Sequence, residues 1–406
     1  MNSNIKLAWR NLWRNKSRTL ITVASVFFGV LISTVMSSMQ EGSYTSMVDN
    51  VVRFYSGYIQ IHQEDYWENK TINNIFEPTD SLISILDHNK YITNYTPRLE
   101  SFALTSSENM TKGAMITGVH PEKENQVTQL KKWIKEGSYL KSDDDGVLLG
   151  YELAKYLNLK VDDTLVMMGQ GYHGISAIGK FPVRGLLKFA NPQLNSQTVY
   201  MELRNAQELF STGNQLTAMV LMIEDPYHLT PAMKTLKTEL HSPYSVMSWS
   251  EMSPEILQMI DGDRAGAVMM KGLLYILVGF GIFGTIMMMI MERRREMGVL
   301  VAIGMQKGKL AIILLYETIL IGIIGVLVGF AGSIPIIAYL YNNPLELTGN
   351  VADTMVQMGN EPYMYFSWMP SVFYDQVLTV FAMIVVIAVY PVTKAFTLKV
   401  HEALRA

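Results

Sequence analysis

Residues 304–310 (GMQKGKL) come nearest to a nucleotide-binding loop, and they fail on spacing. Gly304 and Gly308 stand one residue too close, Leu310 occupies the place where Ser or Thr must hold magnesium, and no strand precedes them. The histidines at 62, 88, 120, 173, 228, 241 and 401 are scattered, with no metal-ligand pairing. The acidic run at 143–145 lacks the alternating ligands of a calcium loop and reads as a solvated turn before Gly146. There is no cysteine, which excludes disulfides, thiolate zinc sites and cysteine nucleophiles. No catalytic residue, metal site or cofactor site is therefore expected, and any energy source must come from a partner. A net charge of −3 gives no sign of a nucleic-acid partner.

Two features survive this filter. The stretch 292–309 (ERRREMGVLVAIGMQKGK) combines charge at Glu292, Arg293, Arg295 and Glu296 with apolar spacing at Met297, Leu300 and Ile303. Such a short amphipathic helix either lies in a membrane interface or docks into a groove of another protein. Gly298 and Gly304 would permit close approach or a turn. The second feature is Glu317, a carboxylate about two turns into an apolar run. Burying such a group in hydrocarbon costs about 2.5–3.5 kcal/mol on insertion scales, so it needs a partner or a role.

The elements that must position these residues are set by the apolar runs. The chain of 406 residues is 49% hydrophobic and 17% charged, against roughly 25% charged in an average soluble protein. A bilayer core needs about 20 apolar residues in a helix. Runs at about 19–39, 273–291, 310–340 and 377–392 meet or approach that length. Lys and Arg cluster before the first run, between the second and third, and after the fourth, while 341–375 carries only acids among its charges. By the positive-inside rule both termini and 292–309 are cytoplasmic, and 42–268 and 341–375 lie outside. Trp9 and Trp13, with Ile5 and Leu12, make the opening residues an interfacial helix. Gly322, Gly325, Gly329 and Gly332 recur at a spacing that lets helices approach closely.

The expected organisation is an opening helix at 1–18, spans at 19–41, 269–291, 310–340 and 376–393, and a tail at 394–406. The segment 42–268 reads as mixed α/β. Strands are expected at 58–62, 113–118, 164–168, 181–187, 198–201, 217–223 and 244–248, and helices at 81–88, 151–157, 204–210 and 230–240. Residues 169–180 (GQGYHGISAIGK) hold four glycines and read as a mobile loop. Residues 250–270 are helix-compatible and could extend the second span as a stalk.

Several stretches, in order, resemble permeases of the MacB/FtsX superfamily, the type VII ABC transporters, and most of all the lipoprotein-releasing LolC/LolE-type permeases. They are 7–20 (LAWRNLWRNKSRTL), 118–121 (GVHP), 146–154 (GVLLGYELA), 157–164 (LNLKVDDT), 199–207 (VYMELRNAQ), 246–249 (VMSW), 292–298 (ERRREMG) with 302–304 (AIG), and 402–405 (EALR). A proline usual shortly before the last of these is replaced, at Val400. The resemblance implies four transmembrane helices with a MacB-like periplasmic core domain between the first and second, in a multi-pass protein of the cell inner membrane. It implies pairing with a second permease copy or paralogue, and with a cytoplasmic ABC ATPase that binds the ATP and Mg. The coupling segment would be Glu292, Arg293, Arg295, Glu296, Met297, Gly298, Leu300, Ala302, Ile303 and Gly304, with ATPase contact centred on Glu292, Arg295, Glu296 and Gly298.

The resemblance further implies mechanotransmission: the ATPase stroke is used outside the membrane to release a lipoprotein to a periplasmic carrier or adaptor. Substrate access is expected from the outer leaflet, among membrane lipids, between the first span (Phe28, Ile32, Val35) and the second (Tyr275, Phe280, Phe283) of the mate. Two other outcomes stay open: a MacB-like efflux permease, and an FtsX-like regulator of cell-wall hydrolases that transports nothing.

Overall fold

The computed structural model describes residues 3–14, 16–107, 110–189, 191–357 and 361–405. Residues 1, 2, 15, 108, 109, 190, 358–360 and 406 fall within the expected opening segment, external domain, 341–375 loop and tail, and lie outside the described residues. The chain divides into two units. One takes the residues up to Thr45, Ile260–Glu346 and those from Tyr363 on; the other takes Ser46–Met259 with Leu347–Pro362.

In the first unit the apolar runs become helices longer than the runs themselves. An opening helix (Ser3–Arg14) is followed by the first span (Lys16–Val51), the second (Pro254–Glu292) and the third (Lys307–Asn342, with Pro335 inside it). The fourth run is split at Ala388 into Pro370–Ile387 and Val389–Thr397. All four are long and apolar enough to cross a membrane. The second begins at Pro254, so residues 254–270 of the expected stalk are one helix with its span, while Trp249–Met252 form a separate short helix. A short helix (Arg294–Ala302) connects the second and third spans, and a tail helix (Val400–Arg405) ends the chain.

In lipid, helices gain little from burying apolar surface against each other, so close backbone approach decides the packing. The glycine series of the third span supplies it within this one chain. A Cβ on Gly325 would stand 2.5 Å from Val26, one on Gly329 2.8 Å from Val30, and one on Gly332 2.8 Å from Phe27, all on the first span. Gly322 faces Ile384 of the fourth span in the same way. The core around them includes Ile282, Ile286, Leu314 and Val380. Above the apolar stretch, Tyr44 donates to Asp263 at 2.7 Å, and Arg264 pairs with Glu41 at 3.7 Å.

Among the described residues the second unit is built on ten strands: β1 (Ile59–Gln63), β2 (Ile92–Ser106), β3 (Thr111–Val119), β4 (Ile134–Gly137), β5 (Val147–Gly150), β6 (Thr164–Gln170), β7 (Ser176–Leu187), β8 (Thr198–Glu202), β9 (Ala218–Ile223) and β10 (Tyr244–Ser248). Their order is β10-β1-β9-β2-β3-β8-β5-β7-β4, with β6 joining β7 back to β2. Strands β2, β3, β8, β5, β7 and β6 thus close a ring, and inward residues Leu99, Ile116, Leu149, Leu165, Met167, Val183 and Val199 fill it. A second core, with Ile59, Ile61, Leu82, Leu221 and Leu236, packs helices Asp80–His88 and Leu229–Glu239 on the β1–β9 part.

Two expectations need correction. Residues 169–180 are mostly hairpin: β6 runs to Gln170, one turn at Tyr172–Gly174 follows, and β7 starts at Ser176. The glycines mark close packing, since a Cβ on Gly171 would meet the Phe210 carbonyl at 2.6 Å and one on Gly179 the Phe181 ring at 2.5 Å. The acidic turn is not merely solvated. Arg184 donates to Asp144 at 2.8 Å and Asp145 at 2.7 Å, and Arg204 pairs with Asp143 at 3.1 Å. The hydrogen bonds from Arg184 and from the Gly146 amide overcome burial and hold the Asp144 carboxyl below the usual range.

Candidate functional site

The connecting helix Arg294–Ala302 is fixed on three sides. Arg293, at its N-terminal boundary, is buried and donates to Glu317 of the third span at 2.5 Å. Glu296 pairs with Arg14 of the opening helix and with Arg293 at 3.4 Å. Arg294 pairs with Glu402 of the tail helix at 3.3 Å. Glu317 is thus the buried end of a charge chain running Arg14, Glu296, Arg293, Glu317. Its second oxygen, Oε2, has no hydrogen-bond partner among the described residues. The Arg293–Glu317 contact is single, one guanidinium nitrogen on one carboxylate oxygen, and a buried ion pair of this kind is weak evidence for stability. This buried contact joins the N-terminal end of the connecting helix to the third span.

The sequence-derived coupling residues divide by face. Met297 and Gly298 are buried, so they stand away from the helix's open side. Leu300 is half-buried, while Glu292, Arg295, Glu296, Ala302, Ile303 and Gly304 are exposed. Gly304 has φ +104°, a left-handed value that turns the chain from this helix toward the third span. The open side runs Arg295, Val299, Ala302 and Ile303 at helical spacing, and Ile303 is 76% exposed. Sequence reasoning missed Val299; the signal was its i, i+4 relation to Arg295 and Ile303. A cleft of about 520 Å³ lies between this helix, the opening helix and the third span, lined by Leu7, Asn11, Arg14, Glu296, Val299 and Leu300 among others. Val299→Asp with Ile303→Asp is expected to cut association with a partner ATPase at least about tenfold without changing thermal stability, since both side chains are open to solvent. Co-purification at graded ATPase concentration measures it, and unchanged association would remove this face from the docking surface.

The residues expected at the substrate path also separate. Phe28, Ile32 and Phe280 are exposed. Val35 packs near Ile337, Val372 and Phe373; Tyr275 donates its hydroxyl to Gln376; and Phe283 meets Tyr390 edge-on, centroids 4.9 Å apart. The second span carries a long exposed apolar face, including Met269, Leu273, Leu277 and Phe280.

In the second unit a buried polar cluster was invisible in the sequence. Arg98 of β2 forks onto Glu124 of helix Pro121–Thr128, at 2.6 and 3.1 Å, with both side chains fully buried. Its third arm donates to the carbonyl of Tyr55, in the π-helical turn Val52–Ser56 that ends the first span's helix. The Tyr55 hydroxyl donates to Glu100 at 2.8 Å. Burial pushes the Glu100 carboxyl above the usual range, against the pull of Arg98. The last turn of that helix is thereby bound to β2 at two points. On the outside of the strand ring, Leu104, Met168 and Ile178 stand paired across β2, β6 and β7 and remain exposed, with Phe102 beside them.

Comparison with known proteins gives two family matches. Residues 19–239 match the MacB-like periplasmic core domain, and 268–400 match the FtsX-like permease C-terminal domain. The lipoprotein-releasing system transmembrane protein LolC of Xylella fastidiosa is 23% identical over 77% of this chain and 78% of its own length. The macrolide export ATP-binding/permease protein MacB of Aggregatibacter actinomycetemcomitans is 22% identical over 78% of this chain and 50% of its own. The crystal structure of the periplasmic region of MacB from Actinobacillus actinomycetemcomitans covers 52% of this chain and 97% of its own, at 16% identity and a TM-score of 0.36.

Proposed function

The chain belongs to the ABC transporter permeases that join a MacB-like periplasmic core domain to an FtsX-like C-terminal domain, and from that premise we propose that it is the membrane subunit of a mechanotransmission transporter that releases lipid-anchored proteins. The observation that carries the reading is the charge chain from Arg14 to Glu317. It joins the connecting helix to the third span by a buried contact that a docked ATPase could move. ATP and Mg would be bound by that separate ATPase. In this reading the basic residues keep both termini and 292–309 in the cytoplasm of an inner-membrane protein, with 42–268 outside.

Release of a lipid-anchored substrate is supported by the similarity to a lipoprotein-releasing permease, and the exposed Phe28 and Ile32 on the first span and Phe280 on the second offer apolar surface to an acyl chain. Each acyl CH₂ taken from the bilayer must be offered equivalent burial, about 0.8 kcal/mol. A second permease copy or paralogue would complete the path. A soluble carrier would meet the outer row Phe102, Leu104, Met168 and Ile178. A photo-crosslinker at Ile32 or Phe280 is expected to capture a lipoprotein without nucleotide and to lose it with ATP, while one at Val35, turned toward the bundle, captures little. Capture of phospholipid alone at both exposed positions, with ATPase activity indifferent to added lipoprotein, would favour the efflux or regulatory alternatives.

A further inference from the structure

Arg293 lines the cleft of about 520 Å³ between the connecting helix, the opening helix and the third span, yet it is only 8% exposed. Its Nη1 donates to Glu317 at 2.5 Å and its Nε to Glu296 at 3.4 Å. The third nitrogen, Nη2, donates to nothing among the described residues, and it is not shut off from solvent. The N–H donors of a guanidinium form a fixed fork, so this arm cannot turn back to share the acceptors of the other two. A buried arginine thus keeps an unmet donor where a ligand can reach it.

The rest of the lining says what kind of acceptor fits. Arg14 and Arg295 join Arg293 around the cleft. Glu296 is shared by Arg14 and Arg293, and Glu317 is held by Arg293. Arg295 has no ion pair among the described residues. Three arginines therefore face two carboxylates, and a single anionic group would balance them. Most of the remaining wall is apolar, with Leu7 on the opening helix, Leu300 on the connecting helix, and Leu310 and Leu314 on the third span. A bare inorganic anion makes no use of such walls, and an anion attached to hydrocarbon does. The opening helix also carries Trp9 and Trp13, 43% and 53% exposed, and such rings sit at the level of lipid headgroups. In the topology proposed above, the cleft opens at the headgroups of the cytoplasmic leaflet, where basic pockets between helices take anionic lipid.

We propose that this cleft binds one anionic phospholipid of the cytoplasmic leaflet. Its phosphate is taken by Arg293 Nη2 and Arg295, and its acyl chains start along Leu7, Leu300 and Leu314. The inference rests on the topology of the proposed function and holds whichever cargo the transporter moves. Nanodiscs present lipid on both faces, so an inverted topology would leave the binding below intact.

The test uses the full chain in phosphatidylcholine nanodiscs holding a small fraction of phosphatidylglycerol with a diazirine at the start of one acyl chain. Irradiation is expected to label the cleft walls, within residues 3–14 and 297–314, read by peptide mass spectrometry. Unlabelled phosphatidylglycerol should compete the label away, and glycerol 3-phosphate should not. A phosphatidylcholine probe of the same design should label these walls at least about tenfold less. Basic residues of the opening helix attract any anionic surface, so the decisive variant leaves the net charge unchanged. Arg293→Met with Glu317→Leu removes the anchor together with its counter-ion, a replacement that buried pairs often tolerate, and is expected to cut the labelling at least about tenfold. If that chain fails to fold, Arg295→Gln must lower the label several-fold more than Lys16→Gln, which removes the same charge outside the cleft. Competition by glycerol 3-phosphate as strong as the lipid's would mean a site for soluble anions and overturn the proposal. So would equal labelling by the phosphatidylcholine probe, labelling unchanged in the folded double variant, or equal loss in the two single variants.

Discussion

Glu317→Leu is expected to destabilise the first unit by about 3–5 kcal/mol, because it leaves the buried Arg293 without its close counter-charge. Glu296 remains within 3.4 Å of Arg293, but it is exposed and shared with Arg14. The diagnostic variant is the double one. Arg293→Met with Glu317→Leu replaces both charges by apolar groups, and such replacements are often neutral or stabilising by about 1–4 kcal/mol. Unfolding in nanodiscs should therefore show the single variant weakened and the double one recovered. If the ion pair transmits the stroke, the double variant will hydrolyse ATP with its partner yet lose export. A double variant that exports normally would reduce the pair to a packing feature.

Arg98→Met is expected to have an effect of similar size in the second unit, again about 3–5 kcal/mol. It strands Glu124, which would keep a hydrogen bond from Thr128 at 3.1 Å. It also frees the Tyr55 carbonyl, and with it one of the two ties on the π-helical turn. Tyr55→Phe isolates the other tie: it keeps the carbonyl and removes the hydroxyl bond to Glu100, at about 1 kcal/mol. Denaturant unfolding of the two variants should separate by several kcal/mol. A near-equal pair of values would mean that water reaches Glu124 and compensates it.

The contrast between these two ion pairs shows what the sequence makes legible. Glu317 stands out because an apolar run surrounds it, and a carboxylate there has to be explained. Arg98 sits in β2, whose sequence ITNYTPRLESFALTS alternates poorly and contains Pro97. The strand is masked by the same polar residues that build the cluster. Its partner Glu124 is local only once helix Pro121–Thr128 has folded onto β2. The four spans, the connecting helix and most of the strands follow from periodicity, since burial on one face imposes it. The hairpin at 169–180 did not, because its glycines serve packing against Phe210 and Phe181 and mimic a loop composition. Likewise the open face of the connecting helix needed the structure, which buries Met297 and Gly298 and leaves Val299 exposed.

The glycine seam between the first and third spans also sets a timetable. Val26 and Val30 are made early, and Gly325 and Gly329 follow about 300 residues later. At about 5–20 residues per second, the ribosome needs roughly 15–60 s to deliver that partner. Domains generally fold as units during synthesis, so residues 46–259 can complete their strand ring in this interval. Meanwhile the first helix waits in lipid with its packing face bare. The first helix must therefore be stable alone in the bilayer, and its valines must tolerate acyl chains before they meet glycine. Assembly of the bundle is then a late event, gated by translation rather than by diffusion, and slowing the ribosome after residue 292 would lengthen the exposure of that face without altering the finished protein.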